Sequence, residues 1–342
     1  MIRKYSIMKI LLWVIYPIVI LLVLGLLFVT CIKKGSEQNK RMDQDKLGLT
    51  PKTFRMVAIP DALTQANERA DYLLSHYWDN FDFADTTYIH LPEITEQAFV
   101  DYINIFPQVE NEKVYSSITK MLEHSIRQDK TNKVYSYFLN LYKKYLYDAN
   151  SPMRDDEYYI PVVECILKDT INDLTTKERA KFSLMMMQKN RKENVATNFT
   201  YTLQSGKQRT LHQIKSEYTL LMFYNPDCHA CSETINYLKQ SKIINTLLAE
   251  RRLNIFAFYP DDDLSIWKKH LSDIPETWIN SHDQKQEVKN KLLYDLKAIP
   301  SLYLLDKEKR VLLKDANAAD IELFLKTKVS SSMIYDNDTS RF

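Results

Sequence analysis

Apolar residues recur along this chain in three different patterns, and each predicts a different kind of element. From Ile10 to Ile32 the run ILLWVIYPIVILLVLGLLFVTCI carries no charge. At 1.5 Å per residue its 23 positions suffice to cross a hydrocarbon core of about 30 Å. From Asp61 to Lys192 the spacing becomes that of amphipathic helices, predicted at 63–76, 93–106, 110–127, 132–147, 155–171 and 175–189. In the third of these, Val114, Ile118, Met121, Leu122 and Ser125 share one face. Thr175 with Glu178 three residues on reads as a capping box, and Pro161 predicts a late start or a kink in the fifth helix. Beyond Lys192 short β-type runs at 199–203, 218–224, 253–259, 301–305 and 310–314 alternate with helices at 231–240, 244–251, 263–271, 285–294 and 318–326. The continuous apolar run Leu220–Tyr224 predicts a central strand covered on both faces, and the pair 301–305/310–314 a β-hairpin.

The chain therefore divides into an anchor or signal segment (1–34), a polar linker (35–60), an all-α domain (61–192), an α/β domain (195–328) and a tail (329–342). Two readings of the first segment stand side by side. It is either a permanent single-pass anchor or a lipoprotein signal cleaved before Cys31, which then carries the lipid. Phe28-Val29-Thr30-Cys31 resembles a lipobox, and a start at Met8 leaves a signal of ordinary length; Thr30 and the following Lys33-Lys34 are atypical. Basic residues flank the run on both sides, so charge asymmetry does not set its orientation.

Composition removes several function classes. Lys+Arg 46 against Asp+Glu 44 leaves a net charge of +2, which provides no basic field to gather nucleic acid. Four glycines in 342 residues, at 25, 35, 48 and 206, cannot build a phosphate cradle, so no nucleotide is expected. The segment His76–Asp85 mixes His, Asp and aromatics without metal-ligand spacing and reads as a helix end with an aromatic docking loop. Met185-Met186-Met187 and Cys165 read as core.

Of the four cysteines, Cys228 and Cys231 stand three apart as Cys-His-Ala-Cys, just after the central strand and at the start of a helix. Half a zinc site would need a second pair of ligands, and the other two cysteines stand singly, so no metal and no cofactor is expected. A cysteine at the first turn of a helix faces unpaired N–H groups and the positive end of the dipole, which favour the thiolate. Cys228 is then the attacking thiol toward protein disulfides, and Cys231, one turn on, the resolving one. Asp227 and His229 flank the attacking sulfur and are expected to modulate it, the acid opposing the thiolate; a solvent-facing histidine is the alternative.

Phe223-Tyr224-Asn225-Pro226-Asp227-Cys228-His229-Ala230-Cys231 and Lys297-Ala298-Ile299-Pro300-Ser301-Leu302-Tyr303 resemble the two active-site segments of thioredoxin-like proteins, closest to the membrane-tethered TlpA-like and ResA-like thiol–disulfide oxidoreductases. The resemblance covers about residues 195–328. It implies a cis Ile299–Pro300 bond whose backbone pairs with an extended substrate segment, protein thiols or disulfides as partners, and export to the periplasm. The helical part, with Tyr77-Trp78-Asp79-Asn80-Phe81-Asp82 and Asn150-Ser151-Pro152-Met153-Arg154, is similar to a domain of unknown function that precedes such domains in exported proteins of Gram-negative bacteria. The chain departs from the family at Asp227, where a Trp is common, at Met222, where thioredoxins keep a buried Asp, and at Thr234, where the ResA-like group often has a Glu. The proton acceptor for Cys231 and the direction of electron flow stay open, as does a non-enzymatic alternative, a surface-anchored ligand-binding or redox-sensing protein.

Overall fold

The computed structural model describes residues 52–339. The apolar run at 10–32, Cys31 and most of the linker lie outside the described residues. Among those described, no helix is long and apolar enough to cross a membrane.

Helices α1 (Ala66–His76), α2 (Pro92–Ile103), α3 (Asn111–Gln128), α4 (Lys133–Tyr142), α5 (Asp156–Lys168) and α6 (Leu174–Met187) account for the first half. They share a core rich in aromatic rings. Trp78 meets Phe81 and Phe138 edge-on at 5.3 and 5.2 Å, a favoured arrangement of ring quadrupoles. The segment after α1 is thus core: Trp78, Phe81 and Phe83 are all buried. Several polar groups within this core are paired. Tyr102 shares a 2.8 Å hydrogen bond with Ser117, whose hydroxyl donates to the Leu74 carbonyl, and the Tyr77 hydroxyl donates to the Ala98 carbonyl. On α3 the buried face is Val114, Ser117, Ile118, Met121, Leu122 and Ser125, as the periodicity predicts.

Five local expectations need correction. The N-cap of α6 is Asp173, whose carboxylate accepts from the Thr176 amide at 2.7 Å, so Thr175 lies inside the first turn. Of the two outcomes expected of Pro161, the late start is not seen: it lies inside α5, which starts at Asp156 with Asp155 as its cap. Its predecessor α4 ends at Tyr142, and the chain widens into a π-turn in which the Asp148 amide reaches the Lys143 carbonyl five residues back. Of the three methionines, Met186 and Met187 are buried but Met185 is exposed, and Cys165 is only half-buried.

The second half is a seven-stranded mixed sheet. Its strands are β1 (Thr200–Leu203), β2 (Gln208–Thr210), β3 (Tyr218–Phe223), β4 (Leu253–Tyr259), β5 (Ile279–His282), β6 (Ser301–Leu305) and β7 (Val311–Lys314), in the order β2-β1-β5-β4-β3-β6-β7. β3 and β4 are parallel, and β6 returns antiparallel to β3 and forms the expected hairpin with β7. Side chains alternate between two cores. Leu220, Met222, Tyr224, Ile255, Ala257, Leu302 and Leu304 face one side, with Cys231, Ile235 and Leu238 of α7 (His229–Gln240) and Ile244 and Leu247 of α8 (Lys242–Ala249). Leu221, Phe223, Phe256, Phe258, Tyr303 and Leu305 face the other, with Phe199, Tyr201 and Tyr294.

β2 and β5 are absent from the apolar pattern. β2 is an exposed polar edge turned by Gly206 at φ +80°, and β5 reads Ile-Asn-Ser-His yet is held between β1 and β4. The helix expected at 285–294 shortens to one turn, α10 (Glu287–Asn290), bounded by left-handed Gln286 and Leu292; α9 (Leu264–Lys269) precedes it. The last helix, α11 (Ala318–Thr339), runs well into the stretch expected to be a tail.

Candidate redox site

Strand β3 ends at Phe223, and Tyr224-Asn225-Pro226-Asp227 carry the chain over to α7. Two carboxamides hold this turn. Asn225 donates to Asp261 at 2.8 Å, its own side-chain oxygen accepts from the Asp227 amide, and its carbonyl accepts from the Cys228 amide. Asn280 on β5 accepts from both the Tyr224 hydroxyl and the Trp267 indole at 2.9 Å, tying the turn to α9. Cys228 consequently becomes the N-cap of α7, with its sulfur 3.2 Å from the Cys231 amide, which donates to it.

Cys228 is half-buried and Cys231 fully buried, and both are free thiols. The Cys228 thiol donates to the carbonyl of Ile299 at 3.4 Å, and the Ile299–Pro300 peptide is cis. The structure therefore brings four of the residues singled out in the sequence, Cys228, Cys231, Ile299 and Pro300, to one place. Burial pushes the Cys231 thiol far above its ordinary range; the backbone at Asn225 pulls the other way, and the neighbouring Cys228 adds to the rise.

The two flanking residues point elsewhere. His229 is 89% exposed, and its Nε2 lies 3.3 Å from Glu233 one turn along, so the solvent-facing alternative describes it. Asp227 is also largely exposed, with its carboxylate 3.8 Å from Nε2 of His270, which in turn pairs with Asp273 at 2.8 Å. Neither side chain makes a described contact with the sulfur.

What the sequence does not disclose is a seam of buried charge beside the Ile299–Pro300 loop. Asp156, at the start of α5, meets Lys297 at 2.9 Å and Lys314 at 2.8 Å. Arg154 meets Asp315 at 3.5 Å, and Asp315 accepts from Ser301 at 2.6 Å. Burial raises the Asp156 carboxyl, but Lys314 and Lys297 together outweigh it and hold the group below the usual range. Asp315, which meets one cation where Asp156 meets two, is raised by desolvation despite Arg154. Long-range pairs of this kind leave no periodic signal; the nearest clue is two lysines, Lys297 and Lys314, bracketing apolar strands.

A large cleft lies away from these thiols. It measures about 1020 Å³ and is lined by α4, α5 and α6, with Tyr147, Tyr159, Arg179 and Phe182 among its walls. Neither Cys228 nor Cys231 lines it. Among the described residues no cluster of His, Cys, Asp or Glu has the arrangement of a metal site.

Comparison with known proteins bears on both halves. A family model described as a domain of unknown function, DUF5106, matches residues 30–190. The crystal structure of a thioredoxin-like protein from Bacteroides caccae is 50% identical, with a TM-score of 0.77 over 81% of this chain and 99% of that one. The C-terminal domain of an uncharacterized protein from Bacteroides fragilis is 52% identical over 40% of this chain and 98% of its own, with a TM-score of 0.40. No curated protein matches. With half of its residues shared across nearly the whole length of that first relative, and with a cysteine pair capping a helix opposite a cis-proline loop, the chain belongs to the thioredoxin-like family and carries a DUF5106 region ahead of the thioredoxin-like fold.

Proposed function

We propose that this protein is a thiol–disulfide oxidoreductase that exchanges disulfides with partner proteins through Cys228 and Cys231. One observation carries the reading: the Cys228 sulfur lies at the N-cap of α7, within 3.4 Å of the Ile299 carbonyl, while Cys231 is buried one turn behind it. The exposure difference divides the roles. Cys228, as thiolate, attacks a partner disulfide; the partner's S–S bond breaks, its departing sulfur takes a proton, and a mixed disulfide forms. The Cys231 amide, aimed at the Cys228 sulfur, stabilises the negative charge that this sulfur carries during attack. Cys231 then loses its proton and attacks the Cys228 sulfur. The partner's second thiol is released, two electrons have passed to the partner, and Cys228–Cys231 is left as a disulfide. The reverse sequence oxidises a partner dithiol.

The buried, raised Cys231 thiol suits the second step. It stays protonated until the mixed disulfide exists, so it does not compete with Cys228 for incoming partners. The backbone at Ile299 and Pro300 is the docking edge for an extended partner segment. Attachment to a membrane through the apolar run at 10–32, by lipid on Cys31 or by the run itself, and residence in the periplasm complete the proposal. They rest on the uncharged 23-residue run and on the resemblance to exported relatives.

The test is a Cys231→Ser variant, which is expected to accumulate mixed disulfides through Cys228 because the resolving step is removed. No adduct with Cys231→Ser, together with full function of Cys228→Ser, would overturn the oxidoreductase reading. The mass of the mature N-terminus distinguishes lipid on Cys31 from an uncleaved anchor.

A further inference from the structure

The loop carrying Ile299 and Pro300 has no ladder of its own: regular strand pairing begins only at Ser301. Its two ends are nevertheless held, and both holds lead to one place outside the sheet. On the entering side the Lys297 ammonium is bound by Asp156 at 2.9 Å and by Asp295 at 2.9 Å, with the Tyr147 ring 4.1 Å below it. On the leaving side the Ser301 hydroxyl donates to Asp315, which meets Arg154. Arg154 and Asp156 are neighbours at the N-terminal turn of α5. The second oxygen of Asp156 pairs with Lys314, whose ammonium also donates to the Met187 and Lys189 carbonyls at the end of α6. One helix terminus of the DUF5106 region therefore grips the cis-proline loop on both sides.

A buried charge cluster of this kind is a poor way to gain stability, since well-packed apolar residues of the same volume do as well or better. What it supplies is direction, because each ammonium and carboxylate has only a few positions in which all its partners are satisfied. We infer that Asp156 is a positioning residue for the redox site: through Lys297 it sets where the Ile299 carbonyl stands relative to Cys228, and so how well an extended partner segment is received. The inference rests on the proposed oxidoreductase function for its consequence, although not for its geometry. It gives the helical region a role in exchange without contact to the reacting sulfurs. A small disulfide, which needs only the sulfur of Cys228, should not depend on the loop, whereas a peptide disulfide, which lies along it, should.

The experiment compares the full chain with Asp156→Asn, Asp156→Glu and Lys297→Met, using a peptide disulfide and hydroxyethyl disulfide as paired substrates. Asp156→Asn and Lys297→Met are expected to raise KM for the peptide about tenfold, the scale of a misplaced binding group, with kcat and the hydroxyethyl disulfide rate little changed. Asp156→Glu should recover part of the loss. Lys297→Met leaves Lys314 to neutralise Asp156, so it carries the test if Asp156→Asn does not fold. Amide hydrogen exchange over residues 297–303 is read in parallel and should quicken in both variants while α7 is unchanged. An unaltered ratio of peptide to small-disulfide rates in Lys297→Met would overturn the inference. If the wild-type chain reduces neither substrate, the oxidoreductase reading fails, and hydrogen exchange alone decides whether Asp156 positions the loop.

Discussion

The two surfaces that meet at the Cys228 sulfur are built by opposite means. On one side stands α7, whose placement is local and apolar: Cys231, Ile235 and Leu238 follow helical spacing into the core beneath the sheet. On the other stands the Ile299–Pro300 loop, held in part by charges from residues more than a hundred positions away; Asp156 and Lys297 are 141 apart. Packing without polar partners tolerates small shifts, since dispersion contacts fall off gradually and in many directions. A buried ion pair tolerates few, because a lost partner leaves an unpaired charge. The Cys228 sulfur thus sits on a helix anchored by its core face, opposite a loop whose ends are held by buried charge.

The largest expected effect strikes the helix side. Cys228→Ser should lower disulfide exchange by a thousandfold or more, about the scale on which loss of a nucleophile acts. The serine hydroxyl can still accept from the Cys231 amide and cap α7, so the fold should persist, as circular dichroism would report. Residual exchange at wild-type rates would assign the chemistry to another residue.

Next come two truncations that set the two modes of construction side by side. Asp156→Ala is expected to cost about 3–5 kcal/mol, because Lys297 and Lys314 keep buried charges without their shared carboxylate. Leu238→Ala, at a fully buried position of α7, should cost about 2–5 kcal/mol as a cavity. Replacing the Asp156, Lys297 and Lys314 side chains together by apolar ones separates them further: stability should return toward wild type while peptide exchange does not. Denaturant unfolding measures all three, and a triple variant as unstable as Asp156→Ala would contradict the argument.

The acid limb of stability offers a smaller, signed effect. Asp156 has its carboxyl held below the unfolded value of about 3.9, so its contribution is fully present above that pH and is lost as pH falls through the depressed value. Asp315, raised by burial, acts in the opposite sense: its penalty is present at neutral pH and is relieved as it takes up a proton above the unfolded value. The stability gap between wild type and Asp156→Asn should therefore be wide from pH 5 to 7 and close in stronger acid. A gap independent of pH would mean that the Asp156 charge is not what holds the seam.

The smallest effect is expected at His229. Its ring is in solvent and its partner is Glu233, so His229→Ala should change exchange rates by less than about twofold. A tenfold change in the rate with hydroxyethyl disulfide would show that the imidazole reaches the sulfur during reaction.

How much of this was legible differs between the same two sides. The strands at 253–259 and 301–305 appear in the structure with the limits the apolar runs predict, because a strand covered on both faces must be apolar throughout. Cys228 at a helix start follows from its place after β3. By contrast β5 is a strand only because β1 and β4 offer hydrogen bonds on both its edges, and nothing in Ile-Asn-Ser-His announces that. The capping residue of α6 was displaced by two because Asp173 outcompetes Thr175 for the free amides. Asp227 and His229 read as modulators from adjacency alone, but Asp227, ahead of the N-cap, faces His270, and His229, at the first helical position, faces Glu233.

Local pattern alone thus determined the two halves of this protein and the cysteine pair on which the proposed exchange rests, since helix and strand periods and a cysteine at a helix N-terminus are properties of short stretches of chain. Only the tertiary structure decided what holds the cis-proline loop against Cys228. Its partners, Arg154 and Asp156, stand on a helix of the other half, and a buried charge finds its counter-charge by proximity in space, which sequence distance does not encode.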